Sequence, residues 1–159
     1  MKLIAVGIAD LKVSADVDSL LVTYALGSCI AIIVYDPVRK AGGMIHYMLP
    51  LSETSPEKAS ERPAMFADTG IPLLFRAMRD IGCKQRDLIV KVAGGGSLYG
   101  DNGGFAIGQR NYTILRKIFC KAGVMITAED VGGAKSRTTR LYIANGRCTV
   151  LSAGQEVAL

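Results

Sequence analysis

Two apolar runs joined by a short polar turn constrain this chain of 159 residues more than any other feature of it. The first run is Ile30–Tyr35, the turn contains Asp36-Pro37, and the second run is Ala41–His46. Runs of this kind are typical of a β-hairpin. The hairpin brings together Cys29, just before the first strand, and the chain's only histidine, His46, near the end of the second.

The register of this hairpin decides whether the two side chains meet. If the turn centres near Pro37–Val38, Asp36 faces Arg39 and Cys29 lies directly opposite His46. Facing residues of an antiparallel pair point to the same side, with Cβ atoms roughly 5 Å apart. A thiol and an imidazole at that separation are the minimum equipment for nucleophilic acyl chemistry. The residues alone leave a second interpretation open, in which Cys29 is a small buried hydrophobe and His46 a core or surface group.

Composition predicts one globular domain spanning residues 1–159. Half of the residues are apolar and 21% are charged, which argues against long disordered stretches. The net charge of +5 favours acidic partners through electrostatic steering. Because the basic residues are scattered and form no long run, a nucleic-acid-binding function rests on net charge alone and is not our expectation.

We expect a cytoplasmic protein without membrane insertion. The opening segment Met1–Gly7 is too short and lacks the cleavage pattern of a signal peptide, and no window reaches the ~20 apolar residues of a membrane span. With one histidine and no Cys-x-x-Cys pair, the chain offers no zinc-binding pattern, and we expect neither metal nor cofactor. Three cysteines other than Cys29 are interpreted as packing residues: Cys83, Cys120 and Cys148.

Apolar periodicity predicts an α+β fold of layered, sandwich-like sheets with flanking helices and mostly antiparallel strands. Besides the hairpin, strands are predicted at Leu3–Ile8, Ser19–Tyr24, Leu88–Ala93, Val124–Asp130, Arg140–Ala144 and Cys148–Leu151, the last two joined by Asn145-Gly146. Helices are predicted from Pro63 to Gly82, kinked or split at Pro72, and from Gln109 or Asn111 to Ala122. Exposed loops are predicted at Asp10–Asp18 and Ser52–Arg62.

A glycine-rich segment, Gly94–Gly104, separates a predicted strand from a predicted helix. It lacks both the Gly-Lys-Ser/Thr ending of a phosphate-binding loop and the spacing of a dinucleotide fingerprint. We therefore interpret it as a loop that lines a site rather than as a nucleotide-binding element.

Several motifs spread over the whole chain resemble the CheD family of chemoreceptor glutamine deamidases. The two most specific are Leu-Gly-Ser-Cys at Leu26–Cys29 and His-Tyr-Met-Leu-Pro at His46–Pro50. The likeness continues at three further segments: Lys91–Gly95, Ile107–Asn111 and Asp130–Gly133. One departure from the family's pattern is Gly96, which makes a run of three glycines and coincides with no catalytic position.

The resemblance implies a cysteine hydrolase with a Cys-His-Thr triad and a layered fold related to that of bacterial deamidating toxins. The family's nucleophile falls on Cys29, its base on His46 and its third member on Thr23. Backbone amides around Gly27 and Ser28 are candidates for stabilising the oxyanion. The implied substrates are glutamine side chains on the cytoplasmic helices of methyl-accepting chemotaxis receptors, and in some systems family members bind a CheC phosphatase.

Other classes of function stay open at this level. The main alternative is a chemotaxis adaptor that binds receptors or a CheC phosphatase without turnover. A thiol redox sensor is disfavoured because no resolving cysteine lies near Cys29 in the sequence. Nucleic-acid binding would appear as a steeply salt-dependent affinity for DNA.

Overall fold

A computed structural model describes residues 1–97 and 106–159 of the chain. In that part of the chain the strands, in order, are β1 (Lys2–Ala5), β2 (Asp10–Ser14), β3 (Ser19–Leu26), β4 (Ile30–Asp36), β5 (Ala41–Tyr47), β6 (Ile89–Gly94), β7 (Ala128–Val131), β8 (Arg137–Tyr142), β9 (Cys148–Ser152) and β10 (Gln155–Ala158). The helices are α1 (Pro56–Glu61), α2 (Ala67–Asp80) and α3 (Ile107–Ala122), with short 3-10 turns at Ser52–Thr54, Pro63–Met65 and Gln85–Asp87. No helix in the described ranges is long and apolar enough to cross a membrane.

The strands form two sheets of five strands each. One sheet has the order β1-β3-β8-β9-β10 and the other the order β2-β5-β4-β6-β7. The pairs β1–β3 and β6–β7 are parallel, and the other pairs are antiparallel. The predicted α+β class and the predominance of antiparallel pairs are confirmed, and so is the β8–β9 hairpin around Asn145-Gly146. The sequence interpretation missed β10.

Strand β4 is the central strand of the second sheet, which is the middle one of three layers. The first sheet covers one side of it, and a helix layer of α2 and α3 covers the other. Its even-numbered residues Ile30, Ile32 and Val34 face α2 and α3, while Ala31 and Ile33 face the first sheet. This strict alternation of sides follows from the two-residue repeat of a strand. Because both sides are covered, β4 is apolar from Ile30 to Tyr35 and carries no alternating polar pattern.

Two predicted loops are wrong. Residues Asp10–Ser14 form β2, which pairs with β5 and packs Leu11 and Val13 against the helix layer. The segment Ser52–Arg62 contains a 3-10 turn and α1, which begins at Pro56. The first residue of this segment, Ser52, is held by Asp68 of α2, which accepts hydrogen bonds from the backbone amide and the hydroxyl of Ser52 at 2.8–3.1 Å.

The predicted split at Pro72 is also wrong, while the alternative, a kink, stays a prediction. Helix α2 runs without interruption through Pro72 and starts at Ala67, while Pro63 opens a separate 3-10 turn. Proline at this position removes only one early backbone hydrogen bond and points to solvent. The buried side of α2, which includes Leu74 and Met78, offsets that loss by packing on β5.

Adjacent glycines in β5 let the three layers approach each other closely. A Cβ atom on Gly42 would lie 2.7 Å from Leu141 of the first sheet. A Cβ atom on Gly43 would lie 2.8 Å from Val13 and 2.9 Å from the sulfur of Met78. Strand β5 therefore lacks side chains at the point where it is covered on both sides.

We predict that Gly43→Ala destabilises the fold by about 1–3 kcal/mol, since the added methyl group overfills a packed interface. Thermal unfolding followed by circular dichroism measures the effect. Gly7→Ala is the matched control, because a Cβ atom there meets nothing closer than 4.0 Å. Equal melting temperatures for the two variants would contradict this packing account.

Candidate active site

A hydrogen bond between Thr23 and His46 connects the two sheets. Thr23 Oγ1 lies 2.8 Å from His46 Nδ1 and 2.7 Å from the carbonyl oxygen of Val6. A hydroxyl has one proton and a carbonyl only accepts, so Thr23 donates to Val6 and accepts from Nδ1–H. His46 is therefore protonated on Nδ1, and Nε2 carries the lone pair. Nε2 is buried and has no partner within the described part of the chain.

An irregularity in β3 points Thr23 towards the histidine. The pairing with β8 shifts between Thr23 and Leu26, and Ala25 has a φ of 56° in the left-handed region. Both Thr23 and Leu26 are fully buried, whereas Tyr24 is 51% exposed. Residues three apart face opposite sides of a regular strand, so this β-bulge is what allows both side chains to point inward.

The hairpin register differs by two residues from the predicted one. Asp36 pairs with Ala41 across a four-residue turn, and Ala31, rather than Cys29, pairs with His46. A shift of two residues preserves the side on which each residue lies, so Cys29 and His46 still face the first sheet. They are diagonal neighbours, which lie roughly 7–8 Å apart in a regular antiparallel pair, compared with the roughly 5 Å expected of directly facing residues. Cys29 is a free, partly exposed thiol packed against the core between the sheets.

Burial keeps both groups neutral. It raises the pKa of the Cys29 thiol, an effect that the residue's own backbone amide partly opposes. Burial also lowers the pKa of His46 from 6.5 to about 4. At neutral pH the site therefore holds a thiol and an uncharged imidazole. This differs from the thiolate–imidazolium pair that lowers the thiol pKa in many cysteine enzymes.

The glycine run after β6 holds the loop that carries the cysteine. The amides of Gly95 and Gly96 each donate, over 2.8 Å, to the carbonyls of Cys29 and Gly27 respectively. Gly94 has a φ of 113°, and a Cβ atom there would collide with the Cys29 carbonyl. These contacts put the first residues of the segment next to the cysteine loop, and their role as the lining of a site stays a prediction. The rest of the segment, 98–105, lies outside the described residues.

The carbonyls of the cysteine loop are hydrogen-bonded to the glycine run, but backbone amides of the same loop stay available to a substrate. Within the described ranges, the backbone N–H groups of Gly27 and Ser28 donate to no backbone or side-chain acceptor, whereas the N–H of Cys29 interacts with its own thiol. Unpaired N–H groups next to a nucleophile are suited to stabilising negative charge on a substrate oxygen. The predicted location of oxyanion donors at Gly27 and Ser28 stays a prediction that this geometry permits.

Asn111 is a site residue that the sequence interpretation did not single out. It is fully buried at the start of α3, and its Nδ2 donates to the carbonyls of Ser28 (3.0 Å) and Met48 (2.8 Å). It thus joins the cysteine loop to the end of the histidine strand. The signal that could have found it is its place on the buried side of α3, in line with Leu115 and Phe119.

Arg137 is a second unanticipated residue. Its side chain is 1% exposed and pairs with Asp130 over 3.2 Å. It also donates to the carbonyls of Gly94 (3.3 Å) and Gly132 (2.6 Å). Through Gly94 it braces the glycine run against the cysteine loop. No pattern in the sequence distinguishes it, because β8 carries polar residues on both sides.

The remaining cysteines differ in their surroundings. Cys83 and Cys148 are buried, as expected of packing residues. The packing interpretation of Cys120 is wrong: it is exposed, because it follows Phe119 and so turns away from the buried side of α3. All four cysteines are free thiols. The described residues contain no group of three or more histidine, cysteine or acidic side chains that could hold a metal ion.

An imidazole whose Nδ1 is oriented by a hydroxyl, on the same side of a hairpin as a cysteine thiol, provides the groups that nucleophilic cysteine hydrolases use. Comparison with known families gives a match over residues 48–152 to the family described as CheD chemotactic sensory transduction. The chain belongs to the CheD family.

Relatives align over nearly the whole chain. A probable chemoreceptor glutamine deamidase CheD 2 of Anaeromyxobacter dehalogenans is 50% identical over 158 residues, 99% of either chain. A probable chemoreceptor glutamine deamidase CheD 1 of Syntrophus aciditrophicus is 51% identical and covers 95% of this chain and 94% of its own. One from Solibacter usitatus is 47% identical over all of this chain and 94% of its own.

We predict that His46 titrates with a midpoint near pH 4, because burial disfavours its protonated form. Because it is the only histidine, its two carbon-bound ring protons can be followed by proton NMR without overlap from another histidine. The unfolded chain binds the proton more tightly, so the free energy of unfolding falls as the pH drops from 6.5 towards 4. A midpoint at or above 6.5 would indicate an imidazolium–thiolate pair and contradict the neutral site.

Proposed function

We propose that this protein hydrolyses the side-chain amide of specific glutamines on chemotaxis receptors, producing glutamate and ammonia. The observation that carries the proposal is the Thr23–His46 hydrogen bond, which leaves the Nε2 lone pair free on the side of the hairpin that carries Cys29. The names of the relatives supply the chemoreceptor as substrate. The receptor regions concerned would be cytoplasmic, and we therefore propose that the enzyme acts in the cytoplasm.

The first chemical step joins proton transfer to attack. His46 Nε2 takes the thiol proton while Cys29 Sγ bonds to the carboxamide carbon, and the carbonyl electron pair moves onto oxygen. Because the pKa of the thiol is raised and that of the imidazole lowered, an ion pair is not stable in the resting site. Proton transfer is therefore driven by bond formation to the substrate. Amides of the Gly27–Cys29 turn stabilise the oxyanion, typically by about 3 kcal/mol per donor.

The second half of the reaction reverses the role of His46. The tetrahedral adduct collapses, the carbon–nitrogen bond breaks, and the imidazolium gives its proton to the departing ammonia. A thioester with Cys29 remains. Water then attacks that thioester with His46 again accepting a proton, and glutamate and the free thiol are released. No metal or organic cofactor takes part in these steps.

Thr23 acts as a positioning residue in this scheme. Since its hydroxyl accepts from Nδ1–H, it selects the tautomer that exposes Nε2 to the thiol. It carries no charge, so it stabilises the imidazolium less than an aspartate would. The low pKa of His46 is consistent with that missing charge.

Asn111 and Arg137 maintain the geometry that the chemistry requires. Asn111 fixes the cysteine loop to the carbonyl of Met48, just beyond the histidine strand. Arg137 acts indirectly: it donates to the carbonyl of Gly94, and the glycines that follow Gly94 hold the cysteine loop. Rigid support of this kind matters because small displacements of a nucleophile cost large factors in rate.

The proposal predicts that Cys29→Ala abolishes deamidation without unfolding the protein, since one small, partly exposed side chain is lost. A purified receptor cytoplasmic fragment is incubated with enzyme, and peptide mass spectrometry detects the gain of about 1 Da from glutamine to glutamate that acyl transfer to water produces. Cys120→Ala, which removes an exposed thiol on α3, is the control and keeps activity.

Two outcomes would contradict the proposal. Persistent deamidation by Cys29→Ala would show that Cys29 is not the nucleophile. No deamidation by the wild-type protein, together with tight binding to the receptor fragment or to a CheC phosphatase, would indicate the adaptor function instead.

A further inference from the structure

A groove near the loop that carries the proposed nucleophile has two cationic side chains that the chemistry does not use. It has a volume of about 330 Å³ and lies between the segment after β5 and one side of α3. Its lining residues are Pro50, Leu51, Gln109, Arg110, Thr113, Ile114 and Lys117.

The helix that forms one wall, α3, has only basic residues among its charged residues. Within its 16 residues α3 has four cations, Arg110, Arg116, Lys117 and Lys121, and no acidic residue. Arg110 and Lys117 are exposed and make no ion pair or hydrogen bond with another described residue. Unpaired like charges along one helix repel each other, which disfavours the free state and favours an anionic ligand.

The groove lies at the end of α3 that contacts the loop carrying Cys29. Asn111, next to Arg110, holds the carbonyls of Ser28 and Met48. Leu51, on the opposite wall, lies three residues after Met48. A segment lying in the groove would therefore pass alongside the loop that carries Cys29.

We propose that this groove binds an acidic helical segment of the receptor next to the target glutamine. The inference rests on the proposed deamidase function and adds the chemistry by which the substrate is recognised. Arg110 and Lys117 are seven residues apart, about 10 Å along the helix, which matches carboxylates two turns apart on a helix lying alongside. Between the two cations the half-buried Ile114 and Leu51 contact the apolar side of that segment.

Charge reversal tests the groove. In Arg110→Glu/Lys117→Glu, the KM for the receptor fragment rises by about tenfold or more, because interface charges of the wrong sign repel the ligand. The kcat stays within about twofold, since neither side chain touches the reacting atoms. Arg116→Glu/Lys121→Glu, which makes the same change of charge on the same helix but outside the groove, leaves the KM unchanged and is the matched control.

The rate of Cys29 alkylation by iodoacetamide reports on the nucleophile without the receptor. Unchanged alkylation with a raised KM supports the groove. Slower alkylation in the double variant would mean that the two residues support the cysteine loop instead, and would overturn the proposal. An unchanged KM would overturn it as well.

Two further measurements separate this inference from its alternatives. Binding of the receptor fragment to Cys29→Ala, with and without the two reversals, tests the groove even if no turnover is found, so failure of the deamidase proposal is distinguishable. Binding to phosphatidylglycerol vesicles that the reversals abolish, with the receptor KM unchanged, would assign the cations to a lipid surface and overturn the inference.

Discussion

The hydrogen bond from His46 to Thr23 is the interaction on which the rest of the site depends. It joins the two sheets and fixes which imidazole nitrogen carries the proton. The Thr23 hydroxyl can accept only because its own proton is committed to Val6, so the first sheet determines a protonation state in the second. In the mechanism that we propose, a neutral imidazole acts on a neutral thiol, and charge develops only when the substrate reacts. The hydrogen bond then prepares the base for reaction and stabilises no resting ion pair.

Much of the fold could be predicted because its strands and helices bury continuous apolar sides. Hairpin β4–β5 and the strand-rich α+β class followed from apolar runs and turn residues alone. Elements stabilised by tertiary contacts could not be found in this way. Strand β2 contributes only two apolar residues, Leu11 and Val13, and α1 has no buried residue. Continuity of α2 through Pro72 depends on packing against β5, which local sequence does not reveal.

The site was only partly visible in the sequence. Cys29 and His46 could be placed on one side of the hairpin because the two-residue repeat of strands survives a register error of two. Thr23 entered through family resemblance, since the β-bulge at Ala25 that turns it inward has no signature in composition or periodicity. Asn111 could have been suspected from a polar position on a buried helix side. Its partners are backbone carbonyls far along the chain, and only the folded structure shows them.

The tautomer of His46 tests the central claim most directly. Long-range proton–nitrogen NMR at neutral pH distinguishes the two ring nitrogens, and the single histidine makes the assignment unambiguous. The structure predicts a protonated Nδ1 and a bare Nε2 in the wild type and in Thr23→Ser, with that preference and most of the activity lost in Thr23→Val. A proton on Nε2 in the wild type, or an unchanged tautomer and full activity in Thr23→Val, would contradict the account.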